Sequence, residues 1–296
     1  MNIQWMKYRF IYFGLSLTVI AIGVYSLISW GLPLSIDFKG GTIAEYKVDA
    51  PVPQETLTQK LGEKGIEVSS IQQTGDQSVI IRLPALSEEK RNDIRVTIQE
   101  LTQKDPEEIM FETVGPTIGS ELVTKTIVAM LISAGLILAW VAYQFKSVSF
   151  GSCAIIAMLH DTFILIGLFA LFGKTSGAQV DFLFVTALLT TLSFSVHDTI
   201  VVYDRIREIR RKHGGSLKDV ANQAVKETMR RSINNSLTVV FMLLSLVTLG
   251  GNTIHWFAVA LLIGTISGTY SSPFVAVPLL VTWEEVRKYI KRHARK

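Results

Sequence analysis

Long apolar runs with almost no formal charge occupy about 10–36, 126–145, 147–173, 182–203 and 232–283 of this 296-residue chain, and they leave it few possible folds. A bilayer's hydrocarbon core is crossed by about 20 apolar residues of helix. Each of the first four runs fits one crossing. The last has 52 residues and is interrupted by Gly250-Gly251-Asn252, a turn signal, so it reads as two crossings joined by a tight hairpin. Six transmembrane helices are expected, near 10–30, 125–145, 148–172, 182–204, 233–250 and 255–281. The first follows Lys7 and Arg9 as a secretory signal would. Its apolar stretch is too long for a signal's hydrophobic region and no A-x-A-like site follows it, so it reads as a retained helix. The single cysteine, Cys153, lies inside the third run and reads as a small buried apolar residue; no disulfide framework is possible.

The net charge of +4 hides a strong segregation. From Gly31 to Glu121 there are 9 Lys and Arg against 16 Asp and Glu; from Asp204 to Arg231 there are 9 against 4, and from Trp283 onward 6 against 2. Basic residues in short loops stay on the cytoplasmic side of a membrane. The N-terminus (with the first crossing, 1–30), a basic loop at 204–231 and the tail at 283–296 are therefore expected inside. The 31–121 segment is expected outside, and 122–282 forms the rest of the bundle. Beside membrane helices, these basic stretches read as topology signals and lipid-headgroup contacts, not as a nucleic-acid surface.

Residues 31–121 have the composition of a small soluble domain. "GTIAEYKVDA" alternates like a strand, "PQETLTQKLGEKG" spaces Leu57 and Leu61 for a helix, and "IEVSSIQQ" and "SVIIRLP" read as strands joined by a "TGDQ" turn. "SEEKRNDIRVTIQELTQK" is an amphipathic helix and "EEIMFETVGP" a last strand. The order βαββαβ is that of a ferredoxin-like α+β domain. It contains no metal-ligand spacing, phosphate-cradling loop or nucleophile arrangement, so a binding or lever domain is expected, with no enzyme chemistry, cofactor or metal. "IDFKGGT" and "VGPTIGSEL" flank it, placing Gly40, Gly41, Gly115 and Pro116 as paired hinges; each stretch taken singly is an ordinary tight linker.

Three polar features interrupt the apolar helices. Asp161, preceded by His160, lies about midway along the third run. Asp198, preceded by His197, is the only formal charge between Phe182 and Tyr203. Arg231 opens the fifth run, followed by Asn234, Asn235 and Ser236, read as polar helix-packing residues. An ionised side chain at the centre of a membrane helix costs about 2.5–3.5 kcal/mol on insertion scales. Bland readings stand beside the functional one. Asp198 is about 9 Å of helix rise from Asp204, close enough for hydration from the basic side. Arg231 suits an anchor that snorkels to headgroups. Asp161 would be satisfied as a carboxyl bonded to a neighbouring helix, and two histidines without a matched third ligand are weak as a metal site. The functional reading is proton coupling: one charge crossing the field yields about 2.3 kcal/mol per 100 mV, comparable to the burial cost.

Five stretches carry a family resemblance: "IDFKGGT" (36–42), "VGPTIGSEL" (114–122), "LHDTFILIGLFALFG" (159–173), "HDTIVVYDRIRE" (197–208) and "RRSINNSLTVVFMLLSLVTLGG" (230–251). The chain resembles the SecF branch of the SecD/SecF family of protein-export membrane proteins, within the resistance–nodulation–division superfamily. The resemblance implies a six-helix half-bundle in the bacterial inner membrane, both termini cytoplasmic, with an inserted periplasmic domain. It implies pairing with SecD, association with the SecYEG channel and YajC, and work on a preprotein driven by the ATPase SecA. Proton flow through such a complex supports late steps of export. The family's transmembrane acid falls on Asp198 and its arginine on Arg231. His197 departs from the family's usual Asn, and Asn235 from a common Thr; the imidazole either joins a relay or replaces an amide. Two other functions remain beside this one. An exporter of small molecules or lipids is disfavoured by the single small outside domain, and a purely structural partner of SecD stays open.

Overall fold

The computed structural model describes residues 4–49, 52–74, 78–145 and 147–293, which form two compact units, Leu34–Val128 and the remainder. The expected turn at 75–77 lies outside the described residues.

The smaller unit runs α2 (Ile36–Lys39), β1 (Gly41–Lys47), α3 (Gln54–Glu63), β2 (Ser70–Thr74), β3 (Ser78–Leu83), α4 (Glu88–Thr102) and β4 (Glu107–Val114), and ends in the first turns of α5 (Pro116–Phe145). All strand pairs are antiparallel, in the order β2-β3-β1-β4. This is the expected ferredoxin-like arrangement. The period-2 pattern puts Ala44, Tyr46, Val79, Ile81 and Leu83 on one sheet face, where they share a core with Leu57 and Leu61 of α3 and Ile94 and Ile98 of α4. Fully buried Tyr46 donates its hydroxyl to Glu108 Oε2 at 3.1 Å, and Arg91 grips both oxygens of the same carboxylate. The Arg91 guanidinium holds the Glu108 carboxyl below its usual range, while burial and then the Glu108 charge push the Tyr46 phenol up.

The larger unit contains α1 (Arg9–Trp30), the remainder of α5, α6 (Val148–Ser176), α7 (Phe182–His213), α8 (Leu217–Leu249), α9 (Asn252–Ser271), a π turn at Ser272–Ala276 and α10 (Val277–His293). Among the described residues six helices are long and apolar enough to cross a membrane, the sixth continuing from α9 through the π turn into α10. Pro273, with no N–H to give to the helix ladder, marks the π turn.

One expectation is corrected here. The stretch 204–231 is not an irregular loop: α7 continues to His213, and only Gly214, Gly215 and Ser216 separate it from α8. Both glycines take positive φ (66° and 96°), a conformation costly for other residues. The charges in this stretch overlie a helical period, with Ile206, Ile209, Val220, Ala221, Ala224 and Val225 buried along it. The basic tail is likewise helical to His293.

In the bundle α1 packs on α6, and α7 and α8 pack on α9. Lipid tails are as apolar as Leu, so membrane helices associate through close packing of small residues. A Cβ on Gly167 would lie 2.4 Å from Gly23 Cα, and one on Gly264 would lie 1.9 Å from Thr191 Cγ2. The basic end is tied by Met6 N–H donating to Asn222 Oδ1 (2.9 Å) and by Arg9 with Glu285 (2.6 Å). The flanks of α5 and α8 stay uncovered, with Leu131 68%, Phe241 63% and Leu249 85% exposed.

Candidate functional site

Asp198 owes its position to the α7–α8 hairpin. The Asp181 carboxylate caps α7 by accepting from Phe184 N–H at 2.7 Å, and Ser216 Oγ caps α8 by accepting from Asp219 N–H at 3.2 Å. The two helices then run antiparallel and bring Ser232 against Asp198, where Ser232 Oγ donates to Asp198 Oδ2 at 2.6 Å. The carboxylate is half-buried and faces the sparsely covered α8. His197 points outward and forms no hydrogen bond among the described residues.

Arg231 and Asp198 form no ion pair among the described residues. Arg231 is exposed and makes no ion pair among the described residues; with Thr228 it lines a groove whose far wall is Val201, Asp204, Arg205, Glu208 and Arg211 of α7. Ser232 takes the contact with Asp198, and its neighbour Arg231, about 100° further round the helix, is directed to the turn of α7 nearer the basic end. Arg205 is neutralised there by Glu208 and Glu227, each at 2.5 Å.

Within the apolar helices Asp161 is deeply buried, 4% exposed. Ser267 Oγ donates to its Oδ1 at 2.5 Å and Ser271 Oγ to its Oδ2 at 2.6 Å, both hydroxyls coming from α9. His160 Nδ1 lies 3.0 Å from Oδ1, and the imidazole stacks on Tyr270. Next along the sixth crossing, Ser272 Oγ meets Thr199 Oγ1 at 3.0 Å, and Tyr203 donates its hydroxyl to the Ala276 carbonyl at 2.8 Å. These hydroxyls were not singled out in the sequence, where serines in apolar helices look like ordinary small residues. Ser267 and Ser271, four apart on one helical face, were the available signal.

The remaining expected positions divide. Ser236 accepts from Thr269 Oγ1 at 2.6 Å and joins α8 to α9, and Asn234 and Asn235 are exposed on α8. Gly40 and Gly41 adopt φ of 74° and 135° behind a helical turn capped by Ser35. A Cβ on Gly119 would sit 3.0 Å from Gly40 N, so the two glycine junctions are in backbone contact within the smaller unit; a Cβ on Gly115 would meet nothing. Pro116 begins α5 in its backbone, and its side chain lies outside the described residues.

The fold and the polar cluster define a class: a six-span membrane subunit that carries one ferredoxin-like domain and keeps two carboxylates within its helices. "Protein export membrane protein SecD/SecF, C-terminal" matches residues 94–286, and the "SecD/SecF GG Motif" matches 25–52. The chain belongs to the SecD/SecF family of protein-export membrane proteins. It is 42% identical to protein translocase subunit SecF of Thermobaculum terrenum, covering 94% of this chain and 93% of that one. It is 38% identical to the SecF subunit of Anaerolinea thermophila, covering 97% and 96%. The crystal structure of SecDF from Thermus thermophilus, described as a translocon-associated membrane protein, superposes with a TM-score of 0.84 at 33% identity, covering 96% of this chain and 39% of that longer one.

Proposed function

We propose that this subunit pairs with a SecD-type half and couples proton flow across the membrane to late steps of preprotein export. The observation that carries the reading is Asp198: a carboxylate inside a membrane helix, half-buried, with a single serine donor and an open flank beside it. A carboxylate is expensive there, and the expense has a function if its charge is conditional. Support for the pairing comes from the Thermus thermophilus SecDF chain, where the region similar to this protein makes up 39% of one longer polypeptide. The uncovered faces of α5 and α8 fit a second six-helix half. Arg231 then serves as a movable counter-charge about one helical turn from Asp198, His197 as an accessory group on the open flank, and Asp161 as the interior acid. Gly40, Gly41, Gly115 and Pro116 serve as the junctions through which the domain moves. The basic ends of the bundle lie in the cytoplasm of a bacterial inner membrane and the domain on the far side, by the positive-inside rule. SecYEG, YajC and the SecA-driven preprotein are the partners the family implies.

The test is co-reconstitution with SecD and SecYEG in proteoliposomes under an imposed proton gradient. Asp198→Asn and Arg231→Met are expected to lose both proton flux and the gradient's stimulation of export. Unchanged flux and export in both variants would leave only a structural role.

A further inference from the structure

We infer that His160 and Asp161 form a second proton-binding site inside the bundle, separate from Asp198, in which the incoming proton is held at His160 Nε2. Both residues are buried, 6% and 4% exposed. Each oxygen of Asp161 already accepts a serine hydroxyl, and Oδ1 also takes His160 Nδ1 at 3.0 Å. A proton added to Oδ1 would meet the incoming Ser267 O–H, which has no other acceptor among the described residues. Because the carboxylate offers only lone pairs, the imidazole places its hydrogen on Nδ1 and its lone pair on Nε2. That Nε2 is buried with no partner among the described residues. Buried polar atoms without partners are uncommon in folded proteins and call for an explanation. Here the open atom can accept a proton without breaking an existing bond.

Loading the site has a simple charge balance. One proton binds at Nε2, no other bond breaks, and the pair passes from a net single negative charge to an imidazolium beside a carboxylate, neutral overall. A neutral pair is far better tolerated than a lone anion in a bilayer interior. Among the described residues no other charged side chain forms an ion pair or hydrogen bond with the pair. Tyr270 of α9 stacks on the imidazole and donates to the Tyr12 carbonyl of α1 at 3.2 Å. Residues next in sequence to the two acids' surroundings also meet. Ser271, which binds Asp161, precedes Ser272, whose hydroxyl meets that of Thr199, the residue after Asp198.

A role for this dyad in export rests on the proton-coupling reading above, whereas proton binding itself is measured without flux or export, so either can fail alone. The experiment is solid-state 15N NMR of the full chain, histidine-labelled, in bilayers, with the His160 signal assigned by its loss in His160→Gln. As the medium is acidified, Nδ1 should stay protonated while Nε2 changes from bare to protonated. Infrared spectra should contain no protonated-carboxyl band that Asp161→Asn removes. Ser267→Ala with Ser271→Ala should create such a band, because the carboxyl then has room for the proton. An Nε2 that does not change, one that carries hydrogen throughout, or a wild-type carboxyl band lost in Asp161→Asn would overturn the assignment. The serine variants preserve the test if Asp161→Asn does not fold.

Discussion

Asp198 and Ser232 lie at matched depth on an antiparallel pair, 15 residues before the last residue of α7 and 15 after the first of α8, and meet at 2.6 Å. The helical phase of α8 between its first turn and Ser232 therefore decides what a membrane carboxylate touches. Inserting one alanine after Val225 rotates the rest of α8 by about 100° and removes Ser232 from Asp198. Gradient-stimulated export should fall sharply in that variant, and an alanine inserted between Gly214 and Gly215 should be far milder. Equal export in both would show that the register is irrelevant.

Ser232→Ala deletes the hydroxyl and keeps the helix. A hydrogen bond to a charged group contributes about 1.5–3 kcal/mol when buried, and the half-exposed setting of Asp198 places the effect at the low end. The expected outcome is a reduced proton flux with normal membrane levels of protein. Ser232→Thr, which restores the hydroxyl, should recover most of it.

Gly23 and Gly167 make the α1–α6 crossing possible. Gly167→Ala forces a methyl into a 2.4 Å gap against the Gly23 backbone, so the helices must part, at the roughly 1–3 kcal/mol typical of overpacking. The variant should unfold at lower temperature in detergent. Gly14→Ala, where a Cβ meets nothing, should be neutral or slightly stabilising, since Gly costs up to about 1 kcal/mol in a helix interior.

The small domain should carry an acid-sensitive contact. Glu108 is held below its usual range in the fold, mainly by Arg91, so its contribution is present above the unfolded carboxyl's value of about 4.3 and is lost as pH falls through the lower folded value. Glu108 and Arg91 retain 24% and 40% exposure, which limits the effect to about 1 kcal/mol. The urea midpoint of the domain, followed within the full chain, should drop below about pH 4, and Glu108→Gln should flatten that dependence.

The parts of the fold that were legible in the sequence are those set by long-range composition and strict period. Membrane spans follow from apolar length, and the βαββαβ order from alternating and helical patterns with their turn residues. The helices through 204–231 were hidden because charge dominates composition there, while the buried period rests on scattered residues such as Ile206, Ile209 and Ala224. Asp161 and Asp198 stood out because a carboxylate in an apolar run is conspicuous. Their partners did not, because Ser232, Ser267 and Ser271 acquire meaning only when facing helices meet. Arg231 shows the converse: one position along a helix changes direction by about 100°, enough to send a conspicuous charge into the neighbouring groove.

The most direct measurement is proton flux through the reconstituted SecD-paired complex, comparing wild type, Asp198→Asn and Asp198→Glu at equal protein levels. The account predicts flux abolished in the Asn variant and partly retained in the Glu variant, with export stimulation following in parallel. Wild-type flux through Asp198→Asn would contradict it.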